Sequence, residues 1–186
     1  MFLKQLDTSE LKEVFRAFPE VSHPLALHRH ALMRGPSPFT AGERELIAAF
    51  TSMLNACSYC YDEHNAVAAS FGLSGELLKA LIEDIETAPV EPRLRPVFRY
   101  VRKLTQAPSR VVQADVDAMH AAGWDDTAVF HAASVCGLFS LDNRLVQGLG
   151  VPRQPPEVLA GTVKRLHDHG YAATAAYVAA ALERKG

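Results

Sequence analysis

The stretch TAGERELIAAFTSMLNACSYCYDEHNAVAASFG, from Thr40 to Gly72, decides the fold. Thr40-Ala41-Gly42-Glu43 spells a capping box, in which the threonine hydroxyl and the glutamate carboxylate each satisfy a backbone N–H left open at a helix start. Apolar residues then recur at helical spacing, which predicts a helix to about Leu54. A short turn at Asn55 follows, and a second helix is expected from Cys57 to about Phe71, stopped by Gly72. A turn that tight folds the second helix back along the first. Glu45 is thereby brought toward Cys57-Ser58-Tyr59-Cys60 and His64.

Outward from this pair, helical spacing recurs and strand-like alternation never persists. A first helix capped by Thr8 or Ser9 is expected to reach about Phe18, and a second to run from Pro24 to about Arg34. Gly35-Pro36-Ser37-Pro38 then breaks the chain. Ser74 caps a helix ending near Pro89, Pro92 and Pro96 start one that stops before Pro108, and a short one covers about Gln113 to Ala122. Asp125 or Asp126 caps a long apolar helix from about Thr127 to Leu149, and two last helices occupy about 156–169 and 171–184. The expected fold is all-α, one compact domain over 1–186 with roughly nine or ten helices and the Cys-x-x-Cys pair opening a central helix. Its parts are an N-terminal helical extension (1–38), the motif helix pair (40–71) and the remaining helices (74–186). The alanine-rich end of the chain, from Ala172 to Ala181, suits close helix packing, with a subunit contact as one use of that face.

Lys and Arg number 19 against 21 Asp and Glu, with the signs mixed along the chain. That balance gives no electrostatic reason to expect nucleic acid or an anionic membrane as partner. The longest apolar-rich run, Tyr171 to Leu182, is too short to span a bilayer, and the N-terminus lacks a signal-peptide pattern. Three cysteines, an odd count, point to a reducing cytoplasm, where a disulfide is transient and catalytic.

Two of those cysteines form the Cys57-x-x-Cys60 pair. Each helical residue advances about 100°, so on one helix Cys57, Cys60 and His64 fall within about 60° of arc. A thiol with an unperturbed pKa is about 3% ionised at pH 7, and only the thiolate attacks. The start of a helix, rich in open N–H groups, favours that ionised form. Redox chemistry is therefore the first reading. Two readings stand beside it: a tetrahedral metal site completed by His28, His30, His120 or His131, and two buried cysteines with no chemistry at all. No second Cys-x-x-Cys or His-x3-5-His pair supports the metal. Cys136 reads as a core residue, and Asp142-Asn143-Arg144, polar inside an apolar helix, as a paired structural network.

Glu45, Cys57, Cys60 and His64 together spell E-x11-C-x2-C-x3-H. This resembles the active-site motif of the AhpD-like alkylhydroperoxidase family, within the carboxymuconolactone decarboxylase-like superfamily, and more narrowly its peroxidase-related enzymes. The resemblance implies a helical fold assembling into homo-oligomers (dimer, trimer or hexamer) and reduction of hydroperoxides without a cofactor or metal. It implies that Cys60 is the peroxidatic thiolate and that Cys57 protonates the leaving oxygen and then closes the disulfide. His64 and Glu45 form the proton relay, and an external dithiol reduces the bridge. AhpD itself carries a histidine between its cysteines, where this chain has Tyr59, whose phenol, with a pKa of about 10, is a poor shuttle at neutral pH. A decarboxylase-like member of the superfamily, or a redox sensor that does not cycle, are the other functions the sequence leaves open.

Overall fold

A computed structural model describes residues 1–184. Ten α-helices make up the described residues: α1 (Leu11–Ala17), α2 (Pro19–Arg34), α3 (Ala41–Leu54), α4 (Ser58–Ser70), α5 (Gly75–Glu83), α6 (Leu94–Gln106), α7 (Gln113–Ala121), α8 (Asp126–Leu149), α9 (Pro156–His169) and α10 (Ala172–Glu183). A single 3-10 turn, Pro108–Arg110, links α6 to α7, and no strand occurs among the described residues.

The predicted capping box is present at α3. Glu43 N–H donates to Thr40 Oγ1 at 3.2 Å, and Thr40 N–H donates to Glu43 Oε2 at 2.7 Å. Every residue of α3 from Gly42 to Ser52 is buried, so this helix is the axis of the fold. Leu46, Ile47 and Phe50 are its apolar contribution, with Phe50 edge-on to Phe98 of α6 at 5.1 Å. Full burial of each such side chain stabilises by about 1.5–3 kcal/mol. A helix buried on all sides must also satisfy its polar residues internally. Ser52 Oγ donates to Ala48 O at 2.8 Å and accepts from Asn143 Nδ2 of α8 at 3.0 Å.

Four boundaries differ from the sequence reading. The first helix has Glu10, not Thr8 or Ser9, as its N-cap, and Thr8 Oγ1 instead accepts from Glu10 N–H at 3.0 Å. The second helix begins at Pro19, where a missing N–H costs nothing, and accommodates Pro24 in its second turn. The helix capped by Ser74 stops at Glu83, leaving Ile85 buried in the loop beyond it. Finally, Cys57 is the N-cap of α4 rather than its first helical residue, with extended backbone (φ −92°, ψ 91°).

Candidate active site

The chain arrives at Cys57 through a strained turn. Ala56 lies in the left-handed region (φ 55°), a conformation glycine usually supplies at a helix C-terminus. Its N–H donates to Met53 O at 3.0 Å and Cys57 N–H to Ser52 O at 2.9 Å, the paired bonds that close a helix end of this kind. Helix α8 clamps the turn from outside. Asn55 Nδ2 donates to Asn143 Oδ1 at 3.0 Å, and Gln147 Nε2 donates to the carbonyls of Asn55 and Ala56, each at 3.1 Å. Asn143, buried inside an apolar helix, thus fixes both the end of α3 and the approach to the first thiol.

Cys57 and Cys60 are free thiols, both buried. They share an apolar cluster with Leu11, Val14 and Phe15 of α1 and with Val146, Val151 and Val178. Helix α1 contributes to this cluster and is tied to α4 by the bond from Leu11 N–H to the Tyr59 hydroxyl. The two sulfurs are not electrostatically equivalent. Hydrogen bonding from the Cys60 thiol, aided by the Cys60 backbone N–H, the His64 charge and the Asn143 amide, outweighs burial and lowers the Cys57 thiol to about 7. The same sulfur–sulfur hydrogen bond, together with burial, pushes Cys60 far up. The resemblance implies that Cys60 is the peroxidatic thiolate; in the resting pair the greater acidity falls on Cys57, through the hydrogen bond from the Cys60 thiol.

His64, on α4, and Glu45, on α3, meet in the interior. His64 Nδ1 lies 2.7 Å from Glu45 Oε2, and the imidazole sits edge-on to Phe139 at 4.3 Å. Glu45 is wholly buried and has two further partners: Arg34 Nη2 at 2.7 Å from Oε1, and Tyr171 OH, which donates at 2.9 Å. Burial alone would push the Glu45 carboxyl up, but the hydrogen bonds and charges of His64 and Arg34 outweigh it and hold it below the usual carboxylate range. Burial would likewise lower His64, yet its bond to Glu45 and the two carboxylates Glu45 and Glu63 raise it. The arrangement is an imidazolium held against a carboxylate that cannot readily be protonated. Gly170 makes it possible: at φ 58°, ψ −144° it lets Tyr171 turn inward, and any Cβ there would lie 2.6 Å from Arg34 Cγ.

A second buried pair, Arg29 with Asp142, stands beside this one. Asp142 of the polar segment is therefore paired as expected, Arg144 donates to Ser140 O at 2.7 Å on the exposed side, and Cys136 is buried with its sulfur 3.2 Å from Thr105 Oγ1. Burial pushes the Tyr59 phenol up, away from the range where it would ionise near neutrality. Its hydroxyl instead accepts from the first N–H of α1, that of Leu11, at 3.0 Å, and from Gln154 Nε2 at 2.7 Å. Among the described residues no group of three or more His, Cys, Asp or Glu side chains is disposed to hold a metal ion. Of the proposed fourth ligands, His120 is engaged with Asp126 at 3.0 Å.

Residues 19–103, which carry the whole motif, match the model of the carboxymuconolactone decarboxylase family. A crystal structure from Ralstonia eutropha JMP134, an alkylhydroperoxidase AhpD core described as an uncharacterized peroxidase-related protein, superposes with a TM-score of 0.72 at 25% identity. The match covers 78% of this chain and 76% of that one. The chain shares the AhpD-like fold. An uncharacterized peroxidase-related protein from Silicibacter sp. TM1040 is similar at 26% identity and TM-score 0.69, covering 77% of this chain and 74% of that one. A protein of unknown function from Agrobacterium tumefaciens shares the fold at 18% identity and TM-score 0.63, over 76% and 96% of the two chains. No curated protein sequence matches significantly.

Three residues of this site, Arg34, Tyr171 and Gln147, escaped the sequence reading, and a fourth, Asn143, was marked only as part of a polar network. Arg34 and Tyr171 complete the surroundings of Glu45, while Gln147 and Asn143 hold the turn before Cys57. The polar segment in α8 did signal Asn143. Gly170-Tyr171 carried a weaker signal, a glycine beside an aromatic at a helix junction. Nothing near Arg34 or Gln147 in the sequence marks either.

Proposed function

We propose that this chain is a cofactor-free thiol peroxidase working through a Cys57–Cys60 disulfide. The observation that carries it is the buried dithiol at the start of α4, with one sulfur titrating near neutrality beside an imidazole held by a carboxylate. The AhpD-like fold and its peroxidase-related neighbours support the reading.

At neutral pH the pair carries one proton between two sulfurs. Moving that proton from Cys60 to Cys57 places the thiolate on Cys60 without a net change in charge. The Cys60 thiolate attacks the terminal oxygen of a hydroperoxide; the O–O bond breaks, and Cys57 gives its proton to the departing alkoxide. Cys60 is now a sulfenic acid and Cys57 a thiolate. Cys57 attacks Cys60 Sγ, the S–S bond forms, and the expelled hydroxide takes a proton from the His64 imidazolium to leave as water. Glu45 holds that imidazolium in place, and Arg34 holds Glu45 ionised. An external dithiol then reduces the bridge and returns two protons, one to the sulfurs and one to His64. A reducing compartment such as the cytoplasm supplies such a donor, and Phe130 and Leu141, exposed on α8, offer an apolar face for a homo-oligomer.

Stopped-flow oxidation of the reduced protein by hydrogen peroxide and tert-butyl hydroperoxide tests this. Wild type should react far faster than free cysteine, Cys60→Ser should lose turnover, and Cys57→Ser should accumulate a sulfenic acid that dimedone traps. Equal residual peroxidase activity in the two serine variants would overturn the division of roles. A wild-type rate no higher than that of free cysteine would overturn the function itself.

A further inference from the structure

Resting on the thiol-peroxidase reading, we infer that Glu63 and the small polar cavity it borders form the proton passage between buried His64 and solvent. His64 has its Nδ1 committed to Glu45, and the side chain is buried. Its other nitrogen, Nε2, faces Glu63 Oε1 at 3.8 Å, beyond direct bonding but closed by a small rotation of the glutamate. Glu63 is the neighbour of His64 in the sequence and is mostly buried, yet it is not buried completely. Its other oxygen, Oε2, accepts from Gln154 Nε2 at 2.8 Å.

Beyond Glu63 lies a cavity of about 30 Å³, bordered by Arg29, Tyr59, Glu63, Gln154 and Tyr171, with Glu10 and Lys12 toward its mouth. Two buried polar atoms of its lining have no protein partner: Arg29 Nε, a donor, and Gln154 Oε1, an acceptor. Arg29 is only 7% exposed. A donor and an acceptor left open around a polar space large enough for water describe a built water site. The path is then His64 Nε2, the Glu63 carboxylate, the cavity water, and bulk solvent. The step is proton transfer alone: an N–H bond breaks at His64, an O–H bond forms at Glu63, and water carries the proton outward; re-protonation runs the same path in reverse.

Glu63 is thus a positioning residue that acts through His64. The charged and titratable groups around that imidazole are Glu45 of α3, Glu63 of α4 and the Cys57 thiol that caps it, Asp142 of α8, Arg29 of α2, and Tyr171 before α10.

The test uses Glu63→Gln, which keeps the bond from Gln154, and Glu63→Ala with added formate. Two readouts are taken: the titration of the His64 imidazole by nitrogen-15 NMR, and the pH profile of disulfide reduction by dithiothreitol in stopped flow. His64 in Glu63→Gln should titrate at lower pH than in wild type. Reduction of the disulfide, the step that returns the His64 proton, should slow about tenfold or more, and formate should restore part of the rate in Glu63→Ala. An unchanged His64 titration, or a rate in Glu63→Gln equal to wild type across the profile, overturns the passage while leaving the peroxidase standing. If wild type itself reacts with peroxide no faster than free cysteine, the peroxidase reading falls, and the His64 titration alone decides: no shift overturns the passage, and a shift supports it.

Discussion

Replacing Glu45 by glutamine removes one charge and leaves the shape of the site unchanged. The carboxylate is wholly buried, and its partners are His64 Nδ1 at 2.7 Å, Arg34 Nη2 at 2.7 Å and Tyr171 OH at 2.9 Å. Arg34 and a protonated His64 can only donate, so the new amide NH2 opposes one of them unless His64 gives up its proton. The Arg34 side chain is 12% exposed and would lose its counter-charge. Breaking a buried ion pair from one side costs about 3–5 kcal/mol. Arg34 keeps two carbonyl acceptors, Met33 O at 2.9 Å and Leu166 O at 3.1 Å, which places the loss at the lower end, about 3 kcal/mol. For a chain of this length that corresponds to a melting point lower by about 6–12 °C. Urea denaturation followed by far-ultraviolet circular dichroism measures the loss, with an unchanged urea dependence showing that the native state is intact. The double variant Arg34→Met/Glu45→Gln supplies the control, since removing both charges should cost at least about 1 kcal/mol less than the sum of the singles. A Glu45→Gln protein within about 0.5 kcal/mol of wild type, or strict additivity in the double variant, would refute the argument that Arg34 and Glu45 sustain each other.

Other perturbations read different parts of the site. Ala56→Gly should stabilise the protein by about 1 kcal/mol in the same urea experiment, because an L-residue held left-handed is strained; a loss of stability would show that the turn is not under strain. Gly170→Ala should cost about 1–3 kcal/mol or more and disturb the Arg34–Glu45 pair, visible as a shifted His64 imidazole resonance. Tyr59→Phe should speed amide exchange at Leu11 and raise the reactivity of the thiols toward a bulky disulfide reagent, since the hydroxyl ties down the helix that shares their apolar cluster. Stability should also follow pH with opposing contributions. Glu45, depressed, stabilises above the ordinary carboxylate range and loses that contribution as pH falls through its folded value. His64, raised, contributes fully below about 6.5 and loses it as pH rises through its folded value. Cys57, depressed to about 7, gains stabilising weight as pH rises from there. Cys57→Ser should therefore lose stability more steeply than wild type between about pH 7 and 8.5, and parallel curves would contradict the stabilisation of that thiolate by its neighbours, the Cys60 thiol first.

The helix pair at the centre was legible because its determinants are local. Thr40 and Glu43 write the start of α3 within four residues, and the close turn after Leu54 leaves α4 only one direction to run. The register of Glu45 with His64 follows from that turn. The start of α2 was misread because proline at a first turn is a good signal twice over, at Pro19 and at Pro24, and nothing nearby ranks them. Arg34 and Tyr171 were not legible, since Arg34 reaches Glu45 from the end of α2 over a proline-broken linker and Tyr171 from 126 residues away in sequence. A fully buried glutamate demands such partners, but the sequence does not show that Glu45 is buried. The N-cap position of Cys57 turns on a single residue, finer than spacing alone resolves.

The coupling of the two sulfurs bears on how the thiols divide their work. The hydrogen bond from Cys60 gives the first ionisation to Cys57, and Cys60 keeps its proton because that bond and burial hold it and ionising it would put two charges on neighbouring sulfurs. The resting pair is then a thiolate hydrogen-bonded to a thiol, and the acidity of one sulfur says nothing of which attacks. One proton hop reverses the roles, and the hop leaves the proton on Cys57, where a departing alkoxide needs it. A more acidic Cys57 thus serves attack by Cys60: it holds the pair at one proton near neutrality and becomes the acid once that proton has crossed. Attack by Cys57 would instead leave Cys60 as the proton donor and resolving thiol. The two routes differ in one measurable intermediate, the sulfenic acid, which forms on Cys60 in the first and on Cys57 in the second. Dimedone labelling of Cys57→Ser and Cys60→Ser, read by mass spectrometry, separates them: label on Cys60 alone fits the shared-proton route, and label on Cys57 alone refutes it.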